Sequence, residues 1–215
     1  MRPDYDWSEA WDIHQILKCL SVREVIDVGC GNGELVKYLR SKGFRATGCD
    51  VVVEDPQISF YCDITKPETV PIAEAWVFQH VLEHVPKDSW KPLFKRACEG
   101  GVKHIIIIVP GHAVNDSTHV CNHFTPLYGG TLEGKFGKVN TCSINELIEV
   151  LKELGYIVKW FPDSNSIEAP WRLDYIIIAS RAKHITLRLI PWIATSELAL
   201  WLFLKMLRGL RRRLK

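Results

Sequence analysis

No stretch of the 215 residues reaches the ~18 uninterrupted apolar residues that a membrane-spanning helix needs. The opening Met1-Arg2-Pro3-Asp4-Tyr5-Asp6 is acidic and aromatic, with no apolar core behind it, so no secretory leader is expected. No CxxC pair occurs, and the seven cysteines are an odd number. Cys30, Cys49 and Cys62 fall in or beside predicted strands, which predicts buried thiols in a reduced, cytoplasmic protein and not a disulfide framework. No internal repeat is visible. What is present is ordinary globular composition: 47% apolar and 24% charged residues argue against wholesale disorder. The length suits one domain with a sizeable core and is too short for two full-sized ones.

The formal net charge of +2 hides an asymmetry. Residues 181–215 hold nine Lys/Arg and one acid, Glu197, whereas residues 1–180 hold eighteen bases against twenty-four acids. An acidic body is a poor nucleic-acid platform, so any polyanion contact falls to the tail.

Along the chain, apolar residues at Trp7, Trp11, Ile13, Ile16, Leu17 and Leu20 recur near a helical period. Strands are then predicted at 23–28, 45–49, 58–62, 73–79 and 103–109, with helices at 34–41 and 87–98 between them. The strands are β-branched runs without clean alternation, as expected of a parallel sheet covered on both faces. Residues 110–141 read as a long irregular segment, the kind of connection that is usually functional or disordered. A helix resumes at Ser143 with the capping pattern Ser143-x-x-Glu146, and Gly155 ends it. Two last strands, 156–161 and 171–180, are joined by too few residues for a crossover helix, so they are expected to be antiparallel.

The most informative segment is Val25-Ile26-Asp27-Val28-Gly29-Cys30-Gly31-Asn32-Gly33. A strand leads into a turn where three alternate residues lack a side chain. Such a turn lets backbone approach a ligand and take positive φ, and the helix behind it points its N–H groups into the same space. Asp50 ends the next strand, where a carboxylate can accept both hydroxyls of a ribose. Asp63 ends the third strand, at the distance of an adenine ring. The spacing is G-x-G-x-G and not the G-x-G-x-x-G of nicotinamide-cofactor folds.

At these residues the chain resembles the class I S-adenosylmethionine-dependent methyltransferases, whose first motif, acid-x-G-x-G-x-G, is matched by Asp27 to Gly33. The resemblance covers about residues 20–180. It implies a Rossmann-like, doubly wound α/β fold with a seven-stranded sheet of order 3-2-1-4-5-7-6, strand 7 antiparallel. It implies S-adenosylmethionine as cofactor, with Asp27, Gly29, Gly31 and Gly33 near its methionine part, Asp50 on the ribose, and Asp63 with Ile64 on the adenine. Gln79, ending the fourth strand, joins that cofactor set. The domain is expected over 1–180, its first twenty residues a helix that either caps the site or simply packs on the fold.

Gln79-His80-Val81-Leu82-Glu83-His84 follows the fourth strand, on the rim where substrate meets cofactor in doubly wound sheets. If the segment is helical, His80, Glu83 and His84 share one face. The passage resembles methyltransferases of the ubiquinone-pathway and small-RNA 2′-O types, which carry an E-x-x-E-H metal motif and a histidine downstream. That resemblance implies a metal site at His80, Glu83, His84 and His119 or His123. His80 stands where those families have glutamate, which shifts the expected ion from magnesium towards zinc, manganese or iron. Alternatively, His84, with Glu83 and His80, serves as general base, or the group is structural. The segment 109–125 resembles the acceptor-side loop of small-molecule methyltransferases, with His119, Asn122, His123 and Asp116 as candidate substrate contacts.

The tail, 181–215, combines apolar runs at 189–194 and 198–204 with a basic end. Residues 186–215 suit a helix lying on an anionic membrane surface, a helix packed on the sheet edge, or a dimer contact. The expected activity is therefore methyl transfer to an oxygen of a small or lipid-linked acceptor, in the cytoplasm or peripherally on the inner membrane face. The alternatives are a terminal RNA 2′-O-methyltransferase and an inactive cofactor-binding scaffold.

Overall fold

The computed structural model describes residues 7–110, 123–125, 131–134, 137–163 and 174–181. Helix α1 (Trp7–Cys19) precedes strand β1 (Glu24–Val28), helix α2 (Glu34–Ser41), strands β2 (Arg45–Asp50), β3 (Ser59–Tyr61) and β4 (Ala75–Gln79), and helix α3 (Trp90–Gly100). Strand β5 (His104–Pro110) is followed by β6 (His123–Thr125), β7 (Thr131–Gly134), β8 (Gly137–Ser143), helix α4 (Ile144–Glu153), β9 (Ile157–Asp163) and β10 (Asp174–Ser180).

Seven strands form one sheet in the order β3-β2-β1-β4-β5-β10-β9. Strands β1 to β5 pair in parallel, while β10 runs antiparallel to both β5 and β9. This is the expected 3-2-1-4-5-7-6 order. The reason is in the side chains: Ile105 to Ile108 and Ile177 are fully buried, so both faces of the central strands lie under helices. Trp76, Phe78 and Phe94 stack edge to face in that core.

Helix α1 buries Ala10, Ile13, Ile16 and Leu17. Trp11, placed on the apolar stripe by periodicity, is instead 53% exposed, because the buried face runs through Glu9, Ile13 and Ile16. Helix α4 begins as its sequence dictates: the Ser143 hydroxyl accepts from the Asn145 amide and Glu146 accepts from the Ser143 amide.

Two expectations are corrected. The segment 110–141 is not wholly irregular, since β6, β8 and β7 form a small second sheet. β6 and β7 have only three and four residues, too few to show a period, and β7 and β8 meet at Gly134 and Gly137 in a glycine-rich stretch. And the cysteines are not all thiols: Cys49 and Cys62, both buried, form a disulfide with Cα atoms 5.4 Å apart. Parallel pairing of β2 with β3 brings the two chain ends together, and the Cys62 amide donates to the Asp50 carbonyl at 2.9 Å. Among the described residues no helix is long and apolar enough to cross a membrane. Of the tail only Arg181 is described; residues 182–215 lie outside the described residues.

Candidate active site

Strand β1 delivers the chain to a turn in which Gly29, Gly31 and Gly33 all have positive φ, at 77°, 51° and 75°. A Cβ on Gly29 would stand 2.6 Å from Val81 Cγ2, so glycine is required there by space as well as by backbone angle. Nothing lies within 4 Å of the corresponding point on Gly31. The turn is held from below: the Gly29 and Cys30 amides donate to the Cys49 carbonyl at 2.8 and 3.2 Å. The Gly31 amide donates to Asp50 Oδ2 at 2.9 Å, and the Val52 amide to Oδ1 at 3.1 Å.

A cavity of about 340 Å³ opens at this turn, within the range of roughly 300–1,000 Å³ usual for small-molecule sites. Gly29 and Asp50 line it on the glycine side, Cys62, Asp63 and Ile64 at the end of β3, and His80, Val81 and His84 after β4. The Asp63 carboxylate accepts from the Thr65 hydroxyl and amide at 2.7 and 3.0 Å and pairs with Lys66 at 3.1 Å, which together hold its pKa below the usual carboxylate value. Asp27, 3% exposed in β1, is pushed up to about 7 by burial and then by the charge of Asp50. The Cys30 thiol is pushed up to about 12 by burial and then by Asp27, which excludes it as a thiolate nucleophile near neutrality.

The histidine segment is not an α-helix. His80 has a φ of 54°, and only Leu82–His84 form a single 3₁₀ turn. The three side chains therefore do not share one helical face: His80 and Glu83 still meet, while His84 points to the exposed side. Glu83 turns inward, 3% exposed, and His84 is exposed on the cavity wall. His80 is gripped from both ring nitrogens. Its Nε2 lies 2.9 and 3.0 Å from the two carboxylate oxygens of Glu9, and its Nδ1 lies 3.6 Å from Glu83 Oε1. Burial alone would lower the His80 pKa; hydrogen bonds to Glu83 and Glu9, with the charges of Glu9 and Asp174, outweigh it and raise the value to about 10. His80 is thus an imidazolium near neutrality and cannot accept a proton there. Gln79 Nε2 donates to Glu9 Oε2 at 2.6 Å, so this predicted cofactor contact is engaged with α1.

The structure brings Gly29, Asp50, Asp63, Ile64, His80 and His84 to one cavity. His119, Asn122 and Asp116 lie outside the described residues, and of His123 only its backbone in β6 is described. Sequence reasoning missed Glu9 and Asp174. The signal for Glu9 was an acid spaced with Ile13 and Ile16 on the apolar face of α1; for Asp174 it was an acid heading a fully buried strand.

A sheet of this order, with a glycine cradle between a buried acid and an acid closing the second strand, defines the class I S-adenosylmethionine-dependent methyltransferase architecture. The residues fit the cofactor: Gly31 leaves open space, and Asp50 and Asp63 flank the cavity. The chain belongs to the family described as methyltransferase domain, which matches residues 10–158. It is a methyl-transferring enzyme. No curated protein matches the sequence. Among solved structures, the methyltransferase domain of a bacterial CtHen1 is 19% identical, with a TM-score of 0.55, covering 80% of this chain and 97% of that one. Magnesium protoporphyrin IX methyltransferase from Synechocystis, with bound S-adenosylhomocysteine, is 12% identical, with a TM-score of 0.58, covering 81% and 83%. A methyltransferase from Archaeoglobus fulgidus, described as dependent on S-adenosylmethionine, is 17% identical, with a TM-score of 0.52, covering 80% and 94%.

Proposed function

We propose that the enzyme methylates an oxygen of a small or lipid-linked acceptor, with His84 as the proton acceptor. The observation that carries this reading is the pairing of two unlike histidines on one cavity wall. His80 is locked as an imidazolium between carboxylates, whereas His84 is exposed on the cavity wall. S-adenosylmethionine, when bound, supplies an electrophilic methyl group. The chain contributes mostly position: the glycine turn and Asp50 hold one side of the cavity, Asp63 and Ile64 the other, and His84 stands where an acceptor proton can be taken. Val81, Val85 and Ile64 supply apolar wall, which limits water at the site of transfer.

Solved structures of this fold include a magnesium protoporphyrin IX methyltransferase and a glycopeptide N-methyltransferase, alongside the bacterial Hen1 domain. An acid-rich body favours the small acceptor over RNA. Labelled methyl transfer into fractionated lipid and aqueous extracts tests the assignment. Incorporation that survives ribonuclease supports it; label lost on ribonuclease treatment gives the terminal RNA reading instead, and cofactor binding without turnover in any fraction gives the scaffold. His84→Ala should abolish turnover and leave cofactor affinity intact, and an active variant would remove the base assignment. The basic tail, 186–215, serves on this reading as a peripheral contact with anionic lipid on the inner membrane face. Deleting it should release the enzyme from anionic vesicles, and equal flotation of both forms would refute that role.

A further inference from the structure

We propose that Glu9, His80 and Asp174 form a binding site for one divalent first-row metal ion, of the zinc, manganese or iron class, on the acceptor side of the cofactor cavity. This set differs from the His80, Glu83, His84 and His119 set implied by the sequence resemblance. It draws one ligand from α1, one from the residue after β4 and one from the start of β10.

Three observations carry it. The ligand atoms of the three residues all lie within 4.8 Å of one another, a spacing one ion can bridge. The imidazole is oriented for ligation: Nε2 faces the Glu9 carboxylate, while Nδ1 faces Glu83 at 3.6 Å. A carboxylate behind the far ring nitrogen recurs at metal-binding histidines, and Glu83 stands there at ion-pair distance. Glu83 itself is 3% exposed, and its Oε2 has no hydrogen-bond partner among the described residues. Burying that carboxylate is costly unless positive charge gathers beside it. In the metal-free protein the His80 ring meets this need at 3.6 Å; a divalent ion on Nε2 displaces the proton there to solvent and takes over the positive charge beside Glu83. Gln79 Nε2, 2.6 Å from Glu9 Oε2, holds one oxygen and sets the rotamer of the carboxylate.

Two carboxylates and one imidazole are a borderline-hard donor set, which suits zinc, manganese or iron(II) better than copper(I). With three protein ligands the ion keeps open positions, where an acceptor hydroxyl can bind and lose acidity to the metal. That role rests on the methyl-transfer reading; the binding site does not.

The test uses the full chain, stripped with chelator and titrated with Co²⁺ as a visible probe, then with Zn²⁺ in competition. One equivalent of Co²⁺ should bind with a ligand-field spectrum and be displaced by Zn²⁺. Glu9→Gln and Asp174→Asn should each weaken binding at least tenfold, and Glu83→Gln by about 10–100-fold, as for other partners behind a ligating histidine. His84→Ala should leave the spectrum and the affinity unchanged. Absence of stoichiometric binding, equal affinity in all variants, or loss of binding in His84→Ala overturns the site. Circular dichroism on each variant establishes that it is folded, and Asp174→Glu, which keeps the donor type, should retain more affinity than Asp174→Asn. S-adenosylhomocysteine affinity measured on the same samples separates the two readings. Metal bound without that nucleoside sinks the methyl-transfer reading alone, and nucleoside bound without metal sinks this one alone.

Discussion

The Gly31 amide donates to Asp50 Oδ2 at 2.9 Å, so the acid that closes β2 also ties down the glycine turn at the end of β1. With the Val52 amide on Oδ1, each carboxylate oxygen already accepts one backbone hydrogen bond. Each keeps a lone pair, which is enough to accept a ribose hydroxyl as well. Asp50 therefore acts twice, once on the shape of the cradle and once on its ligand. Asp50→Ala should weaken S-adenosylmethionine binding by about 1–3 kcal/mol, or roughly 5–150-fold, through lost charge-assisted hydrogen bonds. Asp50→Asn should also weaken it, because the amide nitrogen cannot accept from either backbone N–H. Calorimetric titration reads both, and an unchanged dissociation constant for Asp50→Ala would remove the ribose assignment.

Asp27 supplies a second, independent check on the same cavity. Burial first and Asp50 second raise its pKa to about 7. A cationic ligand beside the glycine turn favours the carboxylate and lowers that value. Binding at pH 7 should then release about half a proton, and affinity should rise as pH increases through about 7 and level off above it. Titrations in buffers of different ionisation enthalpy count the proton. Asp27→Asn should abolish the release and flatten the pH dependence. A release that persists in that variant would assign the proton to another group.

The legible parts of this molecule were those where local chemistry decides. The uninterrupted isoleucines of β5 and β10 can only be buried on both faces, and three alternate glycines after a strand mark a turn that backbone alone must line. The Ser143 cap is equally local. What was hidden depends on distant residues. Glu9 meets His80 across 71 positions, and no rule of spacing joins a first helix to the end of a fourth strand. The disulfide needed the register of β2 against β3, which places Cys49 near Cys62 only after pairing. The condition placed on His80, Glu83 and His84, that the segment be helical for the three to share a face, is not met: His80 takes a left-handed backbone angle and only Glu83 and His84 lie in the short turn, although His80 still reaches Glu83.

The Glu9–His80 pair also couples the first helix to pH. A histidine whose pKa is higher folded than unfolded stabilises the fold most at low pH. Here the unfolded value is 6.5 and the folded value about 10. The contribution is therefore complete below pH 6.5, declines as pH rises, and is gone once pH passes about 10. Glu9→Gln keeps a hydrogen-bonding side chain but removes the charge that holds the imidazolium. Chemical denaturation of wild type from pH 6.5 to pH 10 should show a larger fall in stability than Glu9→Gln shows over the same range, and the two curves should converge at the alkaline end. Histidine ring resonances of chelator-stripped protein give the direct reading: without metal, His80 should remain protonated at pH 8 in the wild type and titrate at lower pH in the variant. Parallel stability curves, with no change in the titration of His80, would show that Glu9 holds α1 by packing and not by charge.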